Sequence, residues 1–380
     1  MTATEKLTTL DAVRSLSPTI AARAEEIERA RTLPPDLVEE LAAAGCFRSV
    51  VPRSHGGDEL AIDAYLTMIE ELARADGSTA WTVMLGSAAP ILLGHLPAAS
   101  FDAVYAEGPD VIAAGTFNPK GRATPVDGGY RVSGQWPFAS GCRHAARFVA
   151  HCLVDDGREP PLRMMVLPAD DVTIMDTWST VGMCGTGSDD FAIADAFVAD
   201  DWSFSIFEPP EVDFTALRIP ELCLSTMAFA AVAVGIAGGA LAELGELAAT
   251  KVPMFAPTPL GANPLFRNQF GEADATLRAA RTLLYHEAGE AWAMAAAGAA
   301  FDDPVRARLR SSTTWIAATA ARVVDVAYRA AGGTALYTGC PLQRRLRDIH
   351  TLTQHFGVKL DTFTLAGAVL AGEDVDTTFL

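Results

Sequence analysis

The side chains with the widest chemical range in this 380-residue chain gather near its end, in RRLRDIHTLTQHFG, where Arg344, Arg345 and Arg347 precede His350 and His355. A histidine, with an unperturbed pKa of about 6.5, can take or give a proton at neutral pH. These two are five residues apart, obliquely placed on a helix rather than on one stripe, so a shared metal ion is a weak reading. No HExxH or carboxylate cage accompanies them. Taken singly, each is as well explained as a polar residue at a helix end. The arginines are the densest positive charge in the sequence and suit an anion such as a phosphate, although pairing with Asp348 or solvation accounts for them equally.

Ser140, in PFASGC, follows a candidate strand and precedes a glycine. A GxSxG nucleophile elbow is absent and the pattern assigns it no Asp/His partner, so its better role is a hydrogen-bond donor to a ligand lying across the strands. Asn118-Pro119-Lys120-Gly121 and Gly185-Thr186-Gly187-Ser188 are polar stretches that read as turns. Trp136 and Trp178 read as core aromatics.

Three compositional zones must position these residues. Residues 1–110 are helical: Pro34-Pro35 opens a helix that Gly45 closes, and another runs from about Leu60 to Ala75 before Asp76-Gly77. Residues 111–205 are a β domain, with strands expected at 147–154, 162–168 and 190–198 and a hairpin at Asp127-Gly128-Gly129. Residues 206–380 are again helical, with helices expected at about 221–249, 264–298, 303–331 and from 341 onward. The fold class is therefore mainly α with a central β domain. Strands and helices do not alternate and no GxGxxG follows a candidate strand, which excludes a dinucleotide-binding sheet.

The 29 lysines and arginines against 47 aspartates and glutamates give a net charge of −18, unsuited to nucleic acid. Six cysteines without a CxxC pair read as reduced thiols in the cytoplasm, and the N-terminus lacks the features of a signal peptide. The 21 uncharged residues between Glu221 and Glu243 are long enough to span a membrane. Their alanine and glycine content and acidic flanks favour a buried central helix instead.

Three segments carry a resemblance: SGQWPFASG, TWSTVGMCGTGSDDFAIADAFV and AAGGTALYTGCPLQRRLRDIHTLTQH. With the order of zones, they resemble the acyl-CoA dehydrogenase superfamily, closest to its branch of two-component flavin-dependent monooxygenases, such as the 4-hydroxyphenylacetate and dibenzothiophene oxygenases and the amino-sugar nitrososynthases. The resemblance covers nearly the whole chain. It implies an N-terminal helical domain, a β-barrel-like middle domain and a C-terminal four-helix bundle, assembled as a homotetramer around a flavin. Phe356 occupies the usual position of the dehydrogenase's catalytic glutamate, and Ser225, a turn from Glu221, the alternative base position. The oxygenases carry a histidine where this chain has His355. KVPMFAPTP replaces the segment whose arginine holds FAD pyrophosphate, which disfavours a resident FAD, and Cys184 replaces an arginine common in related oxygenases.

The resemblance thus implies a monooxygenase that receives reduced FMN or FAD from a separate flavin reductase. With O2 it would hydroxylate a small aromatic or natural-product substrate through a C4a-hydroperoxyflavin. Ser140 and Gly141 would meet the flavin N5 and O4 edge, Phe138 would pack by the ring system, and Thr116 and Asn118 would form the other flavin loop. Gly332 and Gly333 would let backbone approach the phosphate side, where Arg347 also belongs, and His355 would be the catalytic acid or base. An acyl-CoA dehydrogenase with a displaced base and an amine N-oxygenase are the rival activities. A catalytically silent scaffold that keeps the fold is the non-enzymatic one. No membrane, nucleic acid or metal enters this reading.

Overall fold

The computed structural model describes residues 8–380 apart from residues 156, 158 and 159. The first zone holds helices α1 (Thr9–Ala30), α2 (Pro35–Ala43), α3 (Ile62–Ala75), α4 (Gly77–Ser87), α5 (Ala89–Leu93) and α6 (Ala98–Val104). Thr8 caps α1 by accepting from the Asp11 amide, and Pro35 opens α2, where its missing N–H costs nothing. Asp76 leaves α3 in extended backbone, and its carboxylate accepts from the Thr79 amide at 2.7 Å. One residue thus ends a helix and caps the next, which fixes the direction of α4 and of Trp81 upon it.

The middle zone is a seven-stranded mixed sheet in the order β5-β6-β2-β1-β3-β4-β7. The strands are β1 (Ala113–Val126), β2 (Gly129–Trp136), β3 (Arg147–Val154), β4 (Leu162–Pro168), β5 (Thr173–Met175), β6 (Asp190–Ala199) and β7 (Ser203–Phe204). The hairpin stands at its expected place: Val126 pairs with Gly129, and Gly128 takes a φ of +74°, which glycine adopts without steric cost. β1 and β3 run parallel, the other pairs antiparallel. Asn118-Pro119-Lys120-Gly121, expected as a turn, is instead an irregularity inside β1, where the register against β3 shifts between Thr116 and Gly121. Proline can sit there because a bulge releases the amide from the ladder.

The last zone comprises α7 (Glu221–Thr250), α8 (Pro264–Ala296), α9 (Asp303–Ala331), α10 (Pro341–Leu352) and α11 (Thr362–Ala371). The uncharged run forms α7, whose central residues are buried all round against α3, α8, α9 and α10. Two glycines permit this packing. A Cβ at Gly235 would fall 2.4 Å from the Glu70 carbonyl oxygen of α3, and one at Gly239 would fall 2.7 Å from the Arg345 guanidinium of α10. The helical core is continuous from α1 to α10 except for α6, which packs against the sheet around Phe101, Val149 and Phe204, whereas the sheet keeps a further core around Trp136, Phe148 and Phe191.

Candidate active site

Ser140 lies in the connection from β2 to β3, which is pinned to the segment preceding β6. The Ala139 amide donates to the Asp189 carbonyl at 3.1 Å, and the Gly141 amide to that of Thr186 at 2.8 Å. Gly141 has a φ of +70° and Phe138 one of +68°, so the loop turns tightly on both sides of the serine. The polar contacts fix the hydroxyl protons. Thr186 Oγ1 donates to the Met183 carbonyl, so Ser188 must donate to Thr186, and Ser140 must then donate to Ser188 at 2.6 Å. Ser140 Oγ also accepts from Trp81 Nε1 at 3.1 Å. Its donor is spent, and what it can offer a ligand is one remaining lone pair.

Trp81 carries the site from the sheet to the bundle. Its ring stacks on Phe229 of α7 at 4.9 Å and meets the edge of His355 at 5.4 Å, and Phe229 and His355 are themselves 4.6 Å apart. His355 follows α10 and caps the short turn Phe356–Val358: its Nδ1 accepts from the Gly357 amide at 3.2 Å. The neutral ring therefore carries its proton on Nε2, which no hydrogen bond engages among the described residues. Burial, with the nearby Arg310 and Lys359 cations, pushes the pKa down to about 4. The expectation of a group titrating near neutrality is corrected here, because His355 is a neutral hydrogen-bond donor at pH 7. Arg310 of α9 is itself buried and donates to the Gly357 carbonyl at 3.1 Å, while its Nε lacks a partner among the described residues.

Beside Phe229, a narrow cavity of about 10 Å³ is lined by Tyr65, Met84, Leu85, Leu224 and Ser225. It holds one water at most. The Tyr65 hydroxyl donates to the Met84 carbonyl, and the Ser225 hydroxyl donates to Glu221 Oε1 at 2.7 Å. Burial raises the Glu221 pKa to about 7 against the opposing pull of Ser225 and Arg310. A larger cavity of about 310 Å³ lies on the β domain between Arg147, Pro168, Phe197 and Trp202, away from all of these residues.

The structure thus brings together Ser140, Gly141 and His355 of the residues expected at the site. Phe138 stands next to them in the chain, 63% exposed, its ring edge-on to Trp178 at 6.3 Å. Thr116 and Asn118 sit at the β1 irregularity, where the Asn118 amide donates to Thr116 Oγ1. No hydrogen bond or ring contact joins them to Ser140 among the described residues. Gly332 and Gly333 begin the turn after α9, with open space where a Cβ would stand at Gly333.

The arginine cluster departs from its expectation as a free anion site. Arg347 donates to the Val181 carbonyl and to Glu28, each at 2.6 Å. Arg345 is buried on Glu243 and the Ala73 and Arg74 carbonyls, and Arg344 faces Glu28. These arginines tie α10 to α1, α3 and α7. His350 pairs with Asp325 of α9 at 2.9 Å. Trp178 is only half-buried, in contrast to the core Trp136. The described residues hold no cluster of three or more metal-ligating side chains.

Trp81, Phe229 and Arg310 escaped the sequence reading, since nothing in their local spacing marks them. Ser188 lay in a segment read as a turn, and its signal was present: a Thr-Gly-Ser-Asp run beside a strand offers hydroxyls that a buried loop must satisfy.

The family profile for the acyl-CoA dehydrogenase N-terminal domain matches residues 3–95, and that for the C-terminal domain matches residues 227–360. An indole-3-acetate monooxygenase from Pseudomonas putida is 33% identical over 365 residues, covering 96% of this chain and 92% of the relative. The crystal structure of 3-HSA hydroxylase from Rhodococcus sp. RHA1 superposes with a TM-score of 0.91 at 26% identity, covering 99% of this chain and 100% of the other. XiaF from Streptomyces sp., in complex with FADH2 and glycerol, gives 0.90 at 25% identity, covering 96% and 95%. Helical first zone, central sheet and helical bundle agree with these matches: the chain belongs to the acyl-CoA dehydrogenase family, in its branch of flavin-dependent monooxygenases.

Proposed function

We propose that this chain is the oxygenase component of a two-component system, taking reduced FMN or FAD from a separate reductase and using O2 to hydroxylate a small aromatic substrate. The observation that carries the reading is the junction of Ser140 and His355 through Trp81. Bound reduced flavin would supply the electrons that activate dioxygen. The residues fit it: the lone pair left on Ser140 Oγ suits the N5–H that a flavin carries only when reduced, and exposed Phe138 offers a ring face beside it. Trp81 and Phe229 keep water from the junction, and His355 Nε2–H donates to an oxygen atom brought against it.

The dehydrogenase alternative needs a carboxylate base, and Phe356 stands beside His355 where that glutamate is expected. N-oxygenation of an amine uses the same parts and is separated by the product. A homotetramer remains part of the proposal, on different grounds from those expected. The uncharged run is covered by its own bundle, but Phe255 (96% exposed), Met254, Leu336 and Tyr337 are not. Light scattering checks this, and a monomer mass at micromolar concentration would refute it. Domain limits near 110 and 205 belong to the same proposal, as does a cytoplasmic setting that suits the free cysteines.

The deciding experiment mixes the protein with reduced FMN or FAD, admits oxygen, and compares hydroxylated product with hydrogen peroxide released. Product from an aromatic substrate supports the reading. A protein isolated with stoichiometric FAD that an acyl-CoA reduces would overturn it.

A further inference from the structure

The cavity of about 310 Å³ on the β domain lies outside the chemistry of Ser140 and His355, yet its lining is that of a ligand site. Small-molecule pockets are mostly apolar, carry a few convergent polar groups and start at roughly 300 Å³. Here Val166 and Leu167 of β4 and Val198 of β6 are buried and apolar, and Phe197 and Trp202 supply rings. Phe197 is 48% exposed, a large apolar surface that a ligand would cover. Arg147, the first residue of β3, supplies the charge.

Arg147 decides the class of ligand. Its guanidinium lies over the Trp202 ring, 5.3 Å from the centroid. That contact holds the cation in place without an acceptor for its N–H donors. No hydrogen bond or ion pair engages those donors among the described residues. Its counterparts in the same domain are committed: Arg131 faces Asp195, Arg143 holds Asp176 and Asp189, and Arg163 donates to Ser203. An uncommitted guanidinium beside an apolar cavity, in a chain of net charge −18, is matched by an anion from outside.

We propose that this cavity is a second ligand site, which takes a flat aromatic monocarboxylate. The ring rests against Phe197 and the apolar floor, and the carboxylate accepts from the N–H donors of Arg147. The limit to one charge follows from the flanks. Asp170 and Asp171 follow β4 and Asp200 and Asp201 precede Trp202, all four exposed and none lining the cavity. Their field opposes a phosphate or any multiply charged ligand more than a single carboxylate. Trp202 also packs against two cores at once, the one around Trp136, Phe148 and Phe191 and the one that Phe101 of α6 enters. A ligand that pins Trp202 therefore strengthens the seam between the β domain and the first helical zone.

The test observes Trp202 directly, without flavin or oxygen. In full-length protein grown on 5-fluorotryptophan, the fluorine resonance lost in Trp202→Phe belongs to Trp202. Titration with 2-naphthoate should move it, and the uncharged 2-naphthamide should need a ~10-fold or more higher concentration, the worth of one charge-assisted hydrogen bond. Arg147→Met should weaken 2-naphthoate by the same factor and leave 2-naphthamide unchanged. Arg147→Lys should restore only part, since lysine keeps the charge and lacks the planar fork. An unmoved Trp202 resonance, equal responses to acid and amide, or 2-naphthoate affinity that survives Arg147→Met overturns the proposal. A response confined to the other tryptophans overturns it too, because the acid is then bound elsewhere. The comparison of acid with amide needs only the wild-type protein, so it decides the matter even if Arg147→Met fails to fold. The site stands or falls independently of the monooxygenase reading, which is decided by product formed from reduced flavin and oxygen.

Discussion

The two walls of the junction are built on opposite principles. On the sheet side every hydroxyl proton has an address: Ser140 to Ser188, Ser188 to Thr186, Thr186 to the Met183 carbonyl, with Asp189 anchoring the loop through Arg143 and the Thr177 and Trp178 amides. On the bundle side the groups, buried or half-buried, keep spare capacity: Arg310 Nε, the Nε2–H of His355 and the acceptor side of Ser225. A satisfied network holds a cofactor edge in one geometry. An unsatisfied one is poised to meet a substrate, because desolvated groups interact strongly with whatever arrives.

His355→Ala breaks the comparison most severely. Removing the donor from the bundle side while the sheet side is intact should leave reduced-flavin affinity nearly unchanged and cut product by ~10²-fold or more, with hydrogen peroxide released instead. Product per flavin oxidised, measured beside His350→Ala, reads it directly, since His350 pairs with Asp325 and should leave coupling unaltered.

Arg310→Met keeps the volume and removes the charge. It deletes the donor to the Gly357 carbonyl and should lower stability by about 2 kcal/mol, seen in urea unfolding. It should also raise the His355 pKa, measurable by NMR, as a merely structural role would not. The sheet-side counterpart is Ser188→Ala, which frees the Ser140 proton and leaves Thr186 an acceptor short of its donor. A loss of about 1 kcal/mol is expected, with reduced-flavin affinity changed more than coupling.

The pH dependence sharpens the comparison with the smallest signal. Burial and the neighbouring Asp76 raise Asp348, which accepts from the Met183 amide of the loop, to about 7. The folded state therefore holds that proton where the unfolded chain has released it, and the stabilisation is lost as pH rises toward 7. His355, lowered to about 4, acts in the opposite sense: the unfolded chain binds the extra proton, so stability grows as pH rises from about 4 to the ordinary histidine range. Glu221, also raised to about 7, acts in the same sense as Asp348, so Asp348→Asn should shift the slope of stability against pH upward from that of the wild type between these limits, and His355→Ala should shift it downward. Parallel curves for the two variants would contradict the assignment.

Helix and strand limits were legible wherever local chemistry decides them. Asp127-Gly128 turns the chain by itself, Asp76 caps by itself, and the small residues and acidic flanks of the α7 run favoured burial over a membrane span. Ser140 and His355 were legible through their motifs. Their roles were not, because these depend on partners distant in the chain: Trp81 and Ser188 direct the serine, and Arg310 acts on the histidine. The arginine cluster shows the same limit. A run of cations says nothing about Glu28, more than 300 residues earlier, and it was this carboxylate that decided Arg347 was structural.

The close approach at Gly235 reaches further than packing. It sets how near α3 can lie to α7, and those helices carry Tyr65 and Ser225, which both line the narrow cavity. Two helices drawn together at a glycine behave as a pair of callipers, the contact serving as the pivot and the cavity as the gap at the tips. A single methyl at the pivot would be felt as a change of bore at the tips, so the width of that cavity is adjustable from a position that does not line it.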